Sequence, residues 1–238
     1  MGQVMARWEE RLREVLGQQG EQILPPGDAQ NAIKAAIRRH SRSIGRITHA
    51  DFPGNGSSFD LSVSSMTGWT NGFSEVVAVE MPQGEREPVY LDEQEVSLYP
   101  SNSDPTAVRL AVSTPGTGQT ARVYYTVPWP IPDTSAATDR LPDTDFDAVV
   151  HLAGSIAAQE LASRAAGHQR PTIPSASAAG SETEEQRWSR RSQELLEVYL
   201  EHFGLDEESM LPAEAIIDWD VRAQWIETGH HFLFRGRR

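Results

Sequence analysis

The sequence predicts an α+β protein: a helical bundle, an antiparallel β domain inserted between its second and third helices, and an extended C-terminal arm. Three observations carry this. Apolar residues recur at helical spacing near the N-terminus and again from about 143 to 204. Between about 50 and 130 the period falls to two, and clusters of Gly, Pro, Asn and Ser separate the runs. Residues 205–238 show no strong period. The expected divisions are helices in 1–48, a β domain in 49–142, helices in 143–204 and an arm in 205–238.

Taken in order, residues 4–17 read as a helix. Trp8, Leu12, Val15 and Leu16 share one face, Glu9 and Arg13 pair on another, and Gly17 and Gly20 end it. The break "PPGD" (25–28) follows, and Asp28 is the expected N-cap of a second helix. Ile33, Ala36, Ile37, His40 and Ile44 form its apolar face, with Arg38, Arg39, Arg42 and Arg46 as a basic stripe. Such a stripe reads first as a solvated face and second as an anion or subunit contact.

The alternating runs are Phe59/Leu61/Val63, Val77/Val79/Met81, Val108/Leu110/Val112 and Val123/Tyr125/Val127. Separated by turns such as "PGNGSS" and "PQGERE", they predict five to seven short strands in an antiparallel sheet or small sandwich. The stretch "TNGFSEVVAVEMPQGEREPVYL" (70–91) reads as a hairpin of its own, or as one corner of that β domain. A proline-punctuated connector (127–145) leads to a third helix, capped by Asp143 or Thr144. Its inward residues are Phe146, Val149, Val150, Ala153, Ile156, Ala157 and Leu161. The Ala and Gly content of this helix lets a neighbour approach closely. After the loop "PTIPSASAAG", Ser181 and Glu184 suggest a capping box for a last helix, which presents Trp188, Leu195, Tyr199 and Phe203 and stops at Gly204.

Composition narrows the function. The chain has no cysteine, which removes thiolate chemistry, disulfides and Cys-ligated metal, and fits synthesis in a reducing cytoplasm. No apolar run approaches a membrane span and the N-terminus has no apolar signal core, so a soluble protein without a membrane partner is expected. The net charge of -13 disfavours sequence-specific nucleic-acid binding. Lys34 is the only lysine; the other basic residues are arginine, suited to bidentate contacts at interfaces.

Motifs for catalysis are lacking: no P-loop, dinucleotide fingerprint, nucleophile elbow or zinc-protease signature occurs. No catalytic residue, metal or cofactor is expected. His230 and His231 are adjacent, and neighbours on an extended chain point apart. Asp206, Glu207, Glu208, Asp218 and Asp220 read as a solvated acidic run, with a carboxylate acid–base pair as the competing enzymatic reading. The aromatics Trp69, Tyr90, Tyr99, Tyr124, Tyr125 and Trp129 read as sheet core with some edge positions; Trp69 and Trp129, beside turns, are the candidates for an interface. At the terminus, Phe232, Leu233 and Phe234 followed by Arg235, Arg237 and Arg238 suit either a partner groove or a strand tucked onto the chain's own domain.

A set of segments in a fixed order now acquires meaning. These are "AIKAAIRRHSRS", "GWTNGFSEVVAVEMP" with "EPVYL", "ARVYYTVPWPIPD", "DAVVHLAGSIAAQELASRAAG", "TIP" and "WSRRSQELLEVYLEHFG", with a weaker echo in "DWDVRAQW" and "HHF". Over about residues 28–204 the chain resembles the head–tail connector (adaptor, or neck) proteins of tailed bacteriophages. Each segment is degenerate alone; order and spacing carry the likeness. The resemblance implies a structural virion protein of the neck, assembled in the bacterial cytoplasm. It implies a ring, typically twelvefold, beneath the portal protein, continuing the DNA channel without reading its sequence and receiving tail-completion or head-closure proteins below. Under it, the arm residues Phe232, Leu233, Phe234, Arg235, Arg237 and Arg238 would bind the portal, and Trp69, Trp129, Arg38, Arg39 and Arg42 would meet subunits or tail. The helix at 4–17 has no counterpart in the family core. Head-closure or tail-completion proteins share this logic. A carbohydrate- or receptor-binding module built on the β domain is the alternative of a different class.

Overall fold

A computed structural model describes residues 4–57, 60–92, 95–99, 107–110, 115–132, 141–168 and 183–206. The chain divides into two units, Met1–Tyr199 and Leu200–Arg238. Among the described residues are four helices, α1 (Met5–Ile23), α2 (Pro26–Ser43), α3 (Asp143–His168) and α4 (Glu184–Phe203). Between α2 and α3 lie six strands: β1 (Arg46–Pro53), β2 (Asp60–Ser62), β3 (Val76–Glu80), β4 (Val96–Tyr99), β5 (Ala107–Leu110) and β6 (Thr120–Val127). The α+β class and the inserted antiparallel β domain are therefore as the sequence predicts. Of the expected arm only Leu205 and Asp206 are described; Phe232, Leu233, Phe234, Arg235, Arg237, Arg238, Asp218, Asp220, His230 and His231 lie outside the described residues, as do Phe59, Val112, Ser181 and the loop 171–180.

α3 is the organising helix. Its buried side chains include Phe146, Ala148, Val149, Val150, Leu152, Ala153, Ala157, Ala158, Leu161 and Ala162, which lie all round it rather than on one stripe. A helix apolar on every side must be surrounded. On α1, Trp8 meets Phe146 edge to face at 4.6 Å, and the Arg11 Nε donates to Asp147 at 2.9 Å. Arg164 joins Asp28 of α2 at 2.6 Å, and Ser192 of α4 donates to the Ser155 carbonyl at 2.8 Å. Helix α1, unplaced by the resemblance, is thus an integral wall of the bundle.

The helix boundaries correct several expectations. α1 does not stop at Gly17: the chain kinks there at φ 75° and the helix resumes to Ile23. The N-cap of α2 is Pro25, not Asp28; Pro26 fills the first turn, where its missing N–H costs nothing, and Asp28 is free to bind Arg164. α2 ends at Ser43, so Ile44 and Arg46 leave its faces; Arg46 opens β1, a strand the sequence reading passed over. α3 begins at Asp143, with the Pro142 carbonyl accepting from Asp145 and Phe146. Among the described residues the capping box of α4 is Thr183 with Gln186, and the expected partner Glu184 is the first helical residue: the Thr183 N–H donates to Gln186 Oε1 at 3.0 Å and the Gln186 N–H to Thr183 Oγ1 at 3.2 Å. Gly204 does end the helix, at φ 61°, with Gly204 and Leu205 N–H bonded to the Glu201 and Leu200 carbonyls as a Schellman motif requires.

The strands form two three-stranded antiparallel sheets, β1-β6-β3 and β2-β5-β4. Leu61, Val63, Met66, Val79, Met81, Ala121, Val123, Tyr125 and Val127 pack between them as a sandwich core. The stretch 70–91 is not a hairpin of its own. β3 pairs with β6, while 89–91 adds a single bridge between Glu80 and Tyr90 on the far side of β3. A bulge between Val76 and Ala78 shifts the alternation, so Val76 rather than Val77 packs against the core.

Candidate functional site

Alternation fixes which side chains of the β1-β6-β3 sheet leave the core. Ala50 and Phe52 of β1, with Val123 and Tyr125 of β6, point in; Ile47, His49 and Asp51, with Arg122, Tyr124 and Thr126, point out. The register sets the outer residues in rows across the sheet. Asp51 lies opposite Arg122, which lies opposite Glu80; His49 lies opposite Tyr124, which lies opposite Ala78.

The first row is charged. The Arg122 guanidinium donates to both carboxylate oxygens of Asp51, at 2.7 and 2.8 Å, and this holds the Asp51 carboxyl below its ordinary range and raises Arg122. Glu80 points outward yet is 5% exposed. The Gly84 N–H donates to its Oε1 and the Tyr124 hydroxyl to its Oε2, both at 3.1 Å, which supplies the partners a buried carboxylate needs. Burial raises the Tyr124 hydroxyl above its ordinary value.

The second row is aromatic. The His49 and Tyr90 rings lie 6.0 and 6.4 Å from Tyr124. Tyr90 is 48% exposed and Ile47 47%. Aromatic side chains and Arg are enriched at protein contact surfaces, and Asp and Glu are depleted there. Among the described residues no group of three or more His, Cys, Asp or Glu could hold a metal ion.

A second polar cluster sits between the helices and the β domain. His40 of α2 is 1% exposed and hydrogen-bonded through Nδ1 to the Tyr199 hydroxyl at 2.9 Å. Trp129, just beyond β6, stacks on His40 with centroids 6.1 Å apart. Its indole N–H donates to the Ile44 carbonyl at 2.7 Å and its backbone N–H to Ser41 Oγ at 3.0 Å. Burial pushes the His40 imidazole down to about 4, against an opposing pull from Asp145, and pushes the Tyr199 hydroxyl up. Both groups are neutral at pH 7. The cluster joins α2, α4 and the segment after β6.

The residues picked from sequence scatter. Trp129 belongs to the joint. Trp69 lies against the sandwich core, its indole N–H donating to Asn71 at 2.9 Å and its ring 5.8 Å from Tyr125. Both indoles are partly buried with intramolecular partners. Arg38 and Arg42 are exposed and Arg39 half-buried, and among the described residues no carboxylate pairs with the three. Of the six β-region aromatics, Tyr90 and Tyr124 reach the outer face, and Tyr125 turns inward to donate to the Thr67 carbonyl at 3.0 Å. Sequence reading missed His49, Asp51, Glu80 and Arg122. Their signal was a charge inside each alternating run: Arg122 in "TARVYYTV" and Glu80 in "VVAVEM". Compared with protein-family models and with curated proteins, the chain matches none.

Proposed function

We propose that the protein is a structural connector of the neck of a tailed bacteriophage. It would form a ring beneath the portal protein, continue the DNA channel, and bind a head-closure or tail-completion protein on its other side. The observation that carries the reading is the way the β sandwich is mounted. It sits in one excursion between α2 and α3, and Trp129 fastens its exit strand back to α2 through Ile44 and Ser41. This leaves an outer sheet face of rings and charges for neighbours in an assembly. The net charge of -13 supports the channel role, since an acidic wall offers DNA few cations to exchange for its counterions.

The test is the native mass of the purified protein, alone and after mixing with a portal. A monomer or small oligomer is expected alone, and a ring of many copies on the portal. Deletion of residues 229–238 is expected to abolish portal binding and leave the circular dichroism of the folded chain unchanged. Unchanged binding by the truncated chain would remove the arm from the proposal. The aromatic row His49–Tyr124–Tyr90 also fits a glycan-binding module, because ring faces on a sheet stack against sugars. A glycan titration followed by intrinsic fluorescence separates the two: saturable quenching favours the module, a flat response the connector.

A further inference from the structure

Among the described residues one edge of β1 is unpaired, and the hydrogen-bonding groups it presents can be assigned. The strand pairs with β6 on one side only, and among the described residues no strand pairs with the other. The Gly54 N–H donates to the Gln119 carbonyl at 2.8 Å, just beyond the end of the ladder, and this fixes its phase. Thr48, Ala50 and Phe52 turn their backbone groups toward β6; Ile47, His49 and Asp51 turn theirs to the open edge. The bond from the Thr126 N–H to the Glu75 carbonyl, toward β3, agrees with that phase.

Among the described residues nothing covers this edge. Natural edges are blunted by charged side chains (lysine above all), proline, a bulge or a cover. β1 has eight residues in unbroken register with β6, no lysine, and a proline only at its last position. Ala50 and Phe52 pack against the sandwich core and are only partly buried. Ile47 on the same strand is 47% exposed.

We propose that this edge is closed by β1 of a second copy of the chain, the two strands antiparallel about a two-fold axis at Ala50. Side-chain complementarity selects both partner and register. In an antiparallel pair only open-edge residues can exchange hydrogen bonds, so Ile47, His49 and Asp51 must face one another. With the axis at Ala50, His49 meets Asp51 of the partner subunit and Asp51 meets the partner's His49. Two favourable pairs form on the outer face. On the inner face Phe52 meets the partner's Thr48, and the small Ala50 meets itself. Sliding the axis to His49 sets histidine against histidine and Asp51 against an apolar Ile47. The strand is complementary to itself in one register. This dimer does not depend on the neck reading.

The experiment is sedimentation velocity of the full chain over a concentration series, with His49→Pro and His49→Asp. Proline at 49 removes an N–H that faces the open edge and leaves the Thr48 and Ala50 bonds to β6 in place. Aspartate at 49 sets like charges opposite each other in both pairs. The wild type is expected to dimerise by about 100 µM, and each variant to raise the dimer Kd at least tenfold. A wild type monomeric throughout, or association undiminished in the folded variants, overturns the proposal. Thermal unfolding checks that each variant is folded; if His49→Pro is not, His49→Asp decides.

Discussion

His40 shows what one buried residue contributes. Its imidazole is neutral at pH 7 because burial disfavours the cation, and its folded value, about 4, lies below the 6.5 of the unfolded chain. Between these values the unfolded chain binds more protons, so stability is complete above about pH 6.5 and falls as the pH drops toward 4. The full loss from this group is roughly 3 kcal/mol. Urea unfolding at pH 7.5 and pH 4.5 should show that loss in the wild type on top of the carboxylate contributions, and His40→Gln should remove it from the difference. An equal acid loss in both proteins would contradict the assignment. The sequence placed His40 on the apolar face of α2; it could not show that Tyr199 and Trp129 close around it.

At the scale of elements, α3 depends on close approach. A side-chain carbon added at Gly154 would lie 3.0 Å from the Leu195 methyl and 3.1 Å from that of Val15, so three helices converge at this point. Gly154→Val should cost about 1–3 kcal/mol in denaturant unfolding by overpacking. Gly154→Ala should be close to neutral, because its better helix propensity, about 1 kcal/mol, offsets the crowding. The start of α4 gives a second test. Thr183→Ala should cost about 1 kcal/mol in denaturant unfolding, since the reciprocal bonds run between Thr183 and Gln186. The spacing Ser/Thr-x-x-Glu/Gln occurs twice in "SETEEQ", in overlapping frames, and spacing alone cannot choose between them. The helix cores and β6 were legible because a 3.6 or 2.0 period runs unbroken through them. β1 was not, because its outward Ile47 and inward Ala50 blur the contrast on which alternation depends.

At the scale of the Met1–Tyr199 unit, bundle and sandwich are coupled through Trp129. Trp129→Ala removes the indole bond to the Ile44 carbonyl and the stack on His40, and keeps the backbone N–H that donates to Ser41. The expected loss is about 2–3 kcal/mol. Circular dichroism and tryptophan fluorescence should coincide during unfolding of the wild type and separate in the variant, as the sandwich loses its coupling to the helices. Coincident transitions in the variant would show that other contacts suffice.

The sequence by itself determined the class of the fold, the order of its parts and the faces of its helices. Those follow from periodicity and turn chemistry, which are local. Only the tertiary structure decided where the aromatic and charged residues of the β region lie and what they touch. It turned Trp69 and Trp129 toward intramolecular partners, and brought His49, Asp51, Glu80, Tyr90, Arg122 and Tyr124 onto one outer face from four separate segments. Strand order and register made those choices. They arise from pairing across long stretches of chain, where shifting a strand by one residue reverses every side chain, and no local pattern encodes which strand will be the neighbour.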